Sequence, residues 1–189
     1  MQRRTLENLI LENEDYFFTG HLIIEGEVII CNGNIIVAGN LSIYGNVSII
    51  NGSVIVSETL SLTSPIEVKG GDIACKTINA TDISITDGDI YVHGIACFSD
   101  IKSDGNVEVG EDSYASNILC FNYLVSGNNY SGSIITTQDV YILGDNSSDS
   151  IKARDVLIVG YSDFNGNELI AKCFECRKRI INCSSMSVG

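Results

Sequence analysis

A five-residue pattern recurs through this chain and limits what it can fold into. Each copy has a small turn residue, a polar residue, then two branched apolar residues flanking one of any type. Gly33-Asn34-Ile35-Ile36-Val37 shows it, as do Gly39-Asn40-Leu41-Ser42-Ile43 and Gly45-Asn46-Val47-Ser48-Ile49. Later copies are Gly52-Ser53-Val54-Ile55-Val56, Gly71-Asp72-Ile73-Ala74-Cys75, Gly88-Asp89-Ile90-Tyr91-Val92 and Gly105-Asn106-Val107-Glu108-Val109. Apolar residues alternating with period two form a strand and not a helix. Branched side chains suit a pleated, half-buried surface.

The copies fall into three interleaved series. Leu22, Leu41, Leu60, Ile78 and Ile95 succeed one another at a nearly constant step that shortens slightly along the chain. Val28, Val47, Ile66, Ile83 and Ile101 form the second series, and Ile35, Val54, Ile73, Ile90 and Val107 the third. Three short strands per coil is the arithmetic of a triangular solenoid. The third series carries Gly33, Gly52, Gly71, Gly88 and Gly105 in register, which places all five at one corner, in a tight or positive-φ turn. It continues through Leu124, Val140 and Val156, while 110–116, 126–132 and 145–150 read as longer outer turns.

The expected fold is therefore all-β: a triangular, single-stranded, right-handed parallel β-helix with a short N-terminal helical cap. Residues 20 to 171 supply about eight coils of 16–19 residues, roughly 40 Å of rod at the usual strand spacing. Right-handedness is expected because left-handed hexapeptide arrays keep a strict coil length, and this one drifts. Residues 1–19 read as the cap, with Thr5 to Asp15 helical and Leu6, Leu9 and Ile10 on one face. Tyr16, Phe17 and Phe18 follow it, and the segment would plug the first coil. Residues 172–189 form a basic, Cys-containing C-terminal cap or tail.

Composition excludes several classes. At 189 residues, 44% hydrophobic and 19% charged, the chain is one domain with a sizeable core and is not disordered. Lys+Arg of 11 against Asp+Glu of 24 gives a net charge of -13, which argues against a general nucleic-acid binder. From Thr5 to Ala171 the chain holds 5 basic and 23 acidic residues. By contrast, Lys172, Arg177, Lys178 and Arg179 are opposed only by Glu175, and Arg3 and Arg4 lie at the other end, so both termini read as basic and the shaft as acidic. No apolar run is long enough for a transmembrane helix, and Met1 to Asp15 lacks the apolar core of a secretory signal. Seven Cys without such a signal read as reduced thiols in the cytoplasm.

Candidate chemistry is sparse. Cys173-Phe174-Glu175-Cys176 is half of a zinc site at best. His21 and His93 are remote, and Cys183 would still leave the set one ligand short of four. Asn34, Ser53, Asp72, Asp89, Asn106, Asp139 and Asp155 form a corner ladder that reads as solvated turn residues, binding no structural calcium. No catalytic, cofactor-binding or metal residue is assigned. Tyr44, Tyr91, Tyr123, Tyr130 and Tyr141 are the aromatics that flat outer faces would display.

Gly20-His21-Leu22-Ile23-Ile24-Glu25-Gly26-Glu27-Val28, followed by Gly33-Asn34-Ile35 to Gly45-Asn46-Val47, resembles the bactofilin pattern of polymer-forming cytoskeletal proteins. The resemblance covers residues 20 to 110 best. It implies a cytosolic right-handed β-helix that polymerises end to end without nucleotide. The chain lacks the Pro-bearing tails that flank the bactofilin core. The first expectation for function is thus a non-catalytic scaffold that self-associates through its ends or faces. The second is a binding module for carbohydrate or protein. A polysaccharide-acting enzyme is a distant third, because such enzymes are longer chains with large loops around a cleft.

Overall fold

The structure, a computed structural model, describes residues 2–165, 168–181, 183 and 185–189. Among these there are strands and no helix, and every strand pair is parallel. The chain winds into a β-solenoid of about 10 turns, roughly 50 Å of stacked strands at the usual spacing.

Three faces repeat in chain order. The first begins with Arg3–Leu6 and continues through 21–24 and 41–43. The second begins with Leu9–Glu12 and continues through Val28–Cys31 and Val47–Ile50. The third begins with 16–18 and continues through 35–37 and 54–56. Long strands such as Tyr16–Ile24 run from the third face onto the first, turning at Gly20, whose φ is +125°. The step between neighbouring rungs is constant at first, from Tyr16 to Ile35 to Val54 to Ile73. It then shortens, as between Ile73 and Ile90.

The core is three stacked columns. On the second face Val28, Val47, Ile66, Ile83 and Ile101 pair rung to rung, as the spacing predicted, and all are buried. On the third face Ile35, Val54, Ile73, Ile90 and Val107 do the same. Each buried aliphatic side chain contributes roughly 1.5–3 kcal/mol. It does so only against the rungs on either side, so the stack is cooperative between neighbours.

Several expectations are corrected. The N-terminal helical cap does not exist: Arg3–Leu6 and Leu9–Glu12 are strands of the first turn. Leu9 and Leu11 sit in register with Val28 and Ile30, and Tyr16 and Phe18 with Ile35 and Val37. The apparent helical spacing of Leu6, Leu9 and Ile10 came from reading across a strand turn. Alternation at Leu9 and Leu11 is the true signal, and Ile10 points outward, 67% exposed. The number of coils rises from eight to about 10 for the same reason. The stack includes the first turn, and it continues through Cys173–Cys176, Arg179–Ile181 and Ser185–Val188.

Two register assignments also move by one position. Ile78 pairs with Ala96, leaving Ile95 exposed. Val107 pairs with Tyr123, which is fully buried, while Leu124 lies on the outside. The stretches expected to be outer turns are largely strands, within Ser113–Cys120, Asn129–Thr136 and Asn146–Lys152. Their inward positions are polar, which is why they resemble loops. Ser113, Asn129, Asn146 and Ser162 succeed one another on the inner first face. Asn129 Nδ2 donates to Asn146 Oδ1 at 2.8 Å, and Asn146 Nδ2 donates to Ser148 Oγ at 2.9 Å and Ser162 Oγ at 3.1 Å. The Tyr123 hydroxyl closes this network on Ser113 and Asn129. A buried polar group is tolerated when it is bonded in this way.

Candidate functional surfaces

The corner between the second and third faces carries the most ordered polar array. Gly33, Gly52, Gly71, Gly88 and Gly105 stack there, as their register predicted. Their role is close approach and not positive φ. A Cβ on Gly52 would overlap the Gly33 carbonyl oxygen, and the same holds up the column. The positive φ belongs to the preceding residue, at Asn32 (58°), Asn51 (54°), Gly70 (70°) and Asp87 (55°). Asn and Asp tolerate that conformation better than other side chains. The asparagines also join one another, Asn51 Nδ2 donating to Asn32 Oδ1 at 2.9 Å and Asn32 Nδ2 to Asn13 Oδ1 at 3.0 Å.

Beside the glycines runs the ladder of Asn34, Ser53, Asp72, Asp89, Asn106, Asp139 and Asp155, with Asp15 below it and Asn122 within it. These are not merely solvated turn residues. Several side chains accept the backbone N–H of the next rung: Ser53 N–H donates to Asn34 Oδ1 at 2.9 Å. Asp72 N–H donates to Ser53 Oγ at 3.0 Å, and Asp89 N–H to Asp72 Oδ1 at 2.9 Å. Asn106 N–H donates to Asp89 Oδ1 at 2.6 Å and Asp139 N–H to Asn122 Oδ1 at 3.0 Å. The carboxylates therefore hold the corner together. Asp89 also accepts from the Tyr91 hydroxyl at 2.8 Å, which pushes that phenol up to about 12. Asp139 is buried and pairs with Arg154 Nη2 at 2.7 Å, and its charge raises the Tyr141 phenol.

The remaining sequence candidates are scattered. His21 Nε2 lies 3.1 Å from Ser42 Oγ on the first face, and His93 is exposed beside a shallow groove with Tyr91 and Glu108. Cys75 and Cys120 are buried and Cys31 and Cys97 half-buried. Cys173 is exposed, and Cys176 and Cys183 bond to the carbonyls of Gly160 and Ser185. Among the described residues no group of three or more His, Cys, Asp or Glu is placed to hold a metal ion. No described helix is long and apolar enough to cross a membrane.

Of the five tyrosines expected on the outside, Tyr123 is in the core. Tyr44, Tyr130 and Tyr141 are exposed and Tyr91 is half-buried. Tyr130 stacks on Tyr114 of the rung before, ring centroids 4.9 Å apart and 11° from parallel. Tyr114 was not singled out in the sequence, although Tyr114 and Tyr130 stand one coil apart. A groove of about 610 Å³ opens on the second face between Lys102, Leu119, Phe121 and Thr137.

The two ends of the stack differ from everything between them. Among the described residues, Arg3–Leu6, Leu9–Glu12 and 16–18 each pair with a strand on one side only. Cys173–Cys176, Arg179–Ile181 and Ser185–Val188 do likewise at the other end. Met186 and Val188 are in register with the buried Leu169 and Ala171, yet are 45% and 48% exposed. Compared with known proteins, the chain matches no family model, no curated protein and no solved structure.

Proposed function

We propose that this protein is a non-catalytic structural rod that self-associates through its ends, in the manner of the bactofilins that residues 20 to 110 resemble. The open strand edges at both ends carry this reading. An edge of unpaired N–H and C=O groups is a template for another strand. Among the described residues each end of the stack offers three such edges arranged as a triangle, the cross-section that a second copy would present. The uncovered Met186 and Val188 extend the buried columns to that surface. A right-handed winding belongs to the same proposal, supported by the strong right-handed preference of parallel crossovers and by the drifting coil length. A cytoplasmic setting is supported by seven cysteines that form no disulfide.

The test is negative-stain microscopy with light scattering over a range of concentrations and salt. The expected result is particles longer than the roughly 50 Å of one stack, growing with concentration. A monodisperse monomer at high concentration overturns the reading. One observation favours a second reading, a carbohydrate-binding face. The Tyr114–Tyr130 pair is a flat exposed aromatic platform. Glycan-array binding abolished by Tyr130→Ala would establish it.

A further inference from the structure

Two lysines of the second face stand apart from the other cations of the shaft. Five basic residues lie between Thr5 and Ala171. Three are ion-paired: Lys69 with Glu67 at 2.9 Å, Lys76 with Glu58 at 3.1 Å and Arg154 with Asp139 at 2.7 Å. The other two, Lys102 and Lys152, are exposed and make no ion pair among the described residues, although the shaft is rich in carboxylates.

Register sets both lysines on one outward column. Ser84 pairs with Lys102, Lys102 with Leu119, Leu119 with Ile135, Ile135 with Lys152 and Lys152 with Ile170. No carboxylate therefore adjoins either ammonium from the rung above or below on that column. Two residues to either side of Lys102, Asp100 accepts from Asn117 Nδ2 and Asp104 from the Asp87 N–H, both at 2.8 Å. Lys152 has Ser150 and Arg154 in those positions. Three rungs separate the two lysines, about 14 Å at the usual strand spacing. Between them Leu119 and Ile135 are each 42% exposed, and Phe121, beside Leu119, is 41% exposed. Asn117, Ser133 and Thr137 border these three and are uncharged. The groove of about 610 Å³ runs past Leu119 and Phe121 to Lys102.

An exposed apolar cluster bracketed by two cations marks an interaction site. An acidic partner is repelled by most of a chain with net charge -13 and finds free ammonium groups here, so charge complementarity fixes both its place and its sign. The strip lies open along four rungs of a flat sheet, which suits a segment of a protein and not an enclosed small molecule. A helix with carboxylates at i and i+7 and apolar residues at i+3 and i+4 carries all four on one face. Its two carboxylates stand about 10.5 Å apart along the axis. The flexible lysine stems take up the remaining difference of about 3.5 Å.

We infer that the Lys102–Lys152 strip docks an acidic amphipathic helix of a partner protein, its apolar ridge on Leu119, Phe121 and Ile135 and one carboxylate on each lysine. This surface works whether or not copies of the chain associate through their ends. The probe is a labelled, Ala- and Gln-rich helical peptide carrying Glu-x-x-Leu-Leu-x-x-Glu, read by fluorescence anisotropy at low salt. It is expected to bind at least about tenfold tighter than a peptide of the same composition with Glu and Leu on opposite faces. Lys102→Glu with Lys152→Glu should weaken it about tenfold, and Ile135→Ser by several-fold. A peptide with Lys in place of both Glu should then prefer the doubly reversed variant to wild type.

Equal binding of the two peptides, or binding that survives the double reversal, overturns the inference. So does an unresponsive peptide alongside phosphatidylglycerol vesicles that bind wild type and not the variant, which would make the strip a lipid surface. A double reversal that changes the oligomeric state in light scattering would assign the strip to a second copy and overturn it as well. Circular dichroism melts are the folding control, and Lys102→Gln with Lys152→Gln replaces the reversal if the latter fails to fold.

Discussion

Cys75 and Cys120 differ from Cys173 in the properties that govern thiol chemistry. Burial pushes both thiols up to about 12, whereas Cys173 is exposed on the last turn. The thiolate is the reactive form, and at pH 8 a thiol with that pKa is ionised at only about one part in ten thousand. Alkylation at pH 8 followed by mass spectrometry should therefore modify Cys173 first and leave Cys75 and Cys120 untouched until denaturant is added. Early labelling of Cys75 would contradict its inward position. The buried Tyr123 hydroxyl makes a different prediction. Tyr123→Phe leaves Ser113 and Asn129 without the partner they share, at 2.7 and 2.9 Å. The expected loss is about 1–3 kcal/mol in urea unfolding. Tyr91→Phe, on the outer face, should cost about 0.5 kcal/mol or less.

At the scale of a turn, the glycine column is where the backbone is most crowded. Gly52→Ala would drive a methyl group into the Gly33 carbonyl, a backbone atom that cannot swing aside. A loss of about 3 kcal/mol is expected, read as a lowered urea midpoint. An unchanged midpoint would mean that the rungs are less tightly stacked than the structure shows. The sequence announced this column plainly, because glycine, polar residue and branched apolar residue repeat together at one period. It concealed the polar rungs. Ser113, Asn129 and Asn146 occupy inner positions, but a reading based on hydrophobic alternation sees only a break in the pattern. Two of the hydrogen bonds that satisfy them run between rungs, from Asn129 to Asn146 and from Asn146 to Ser162, so those partners are a whole coil away in the chain. The first turn was hidden by a coincidence of spacing, although counting back one coil from Val28 and Ile35 reaches Leu9 and Tyr16. At the ends the sequence showed only basic residues, Arg3 and Arg4 at one and Lys172 to Arg179 at the other. That the ends are open edges depends on the fold of the first and last turns.

The whole molecule behaves as a one-dimensional stack, since each rung touches its neighbours and little else. Over the first turns the period is constant: Tyr16, Ile35, Val54 and Ile73 follow at equal steps. Removing residues 35–53 would join Asn34 directly to Val54 and preserve the polar-then-branched pattern at the junction. Leu22 would then meet Leu60, and Val28 would meet Ile66, each still inward. The expected product is a folded rod shorter by about 4.8 Å and weaker by about 1–3 kcal/mol, the usual share of a segment this long. Deleting 41–50 instead removes about half a turn. Every later strand would then be carried to the wrong face, its branched residues without their columns. Urea unfolding and solution scattering distinguish the two products. Should the half-turn deletion fold as well as the full-turn one, register would not be what holds the stack together.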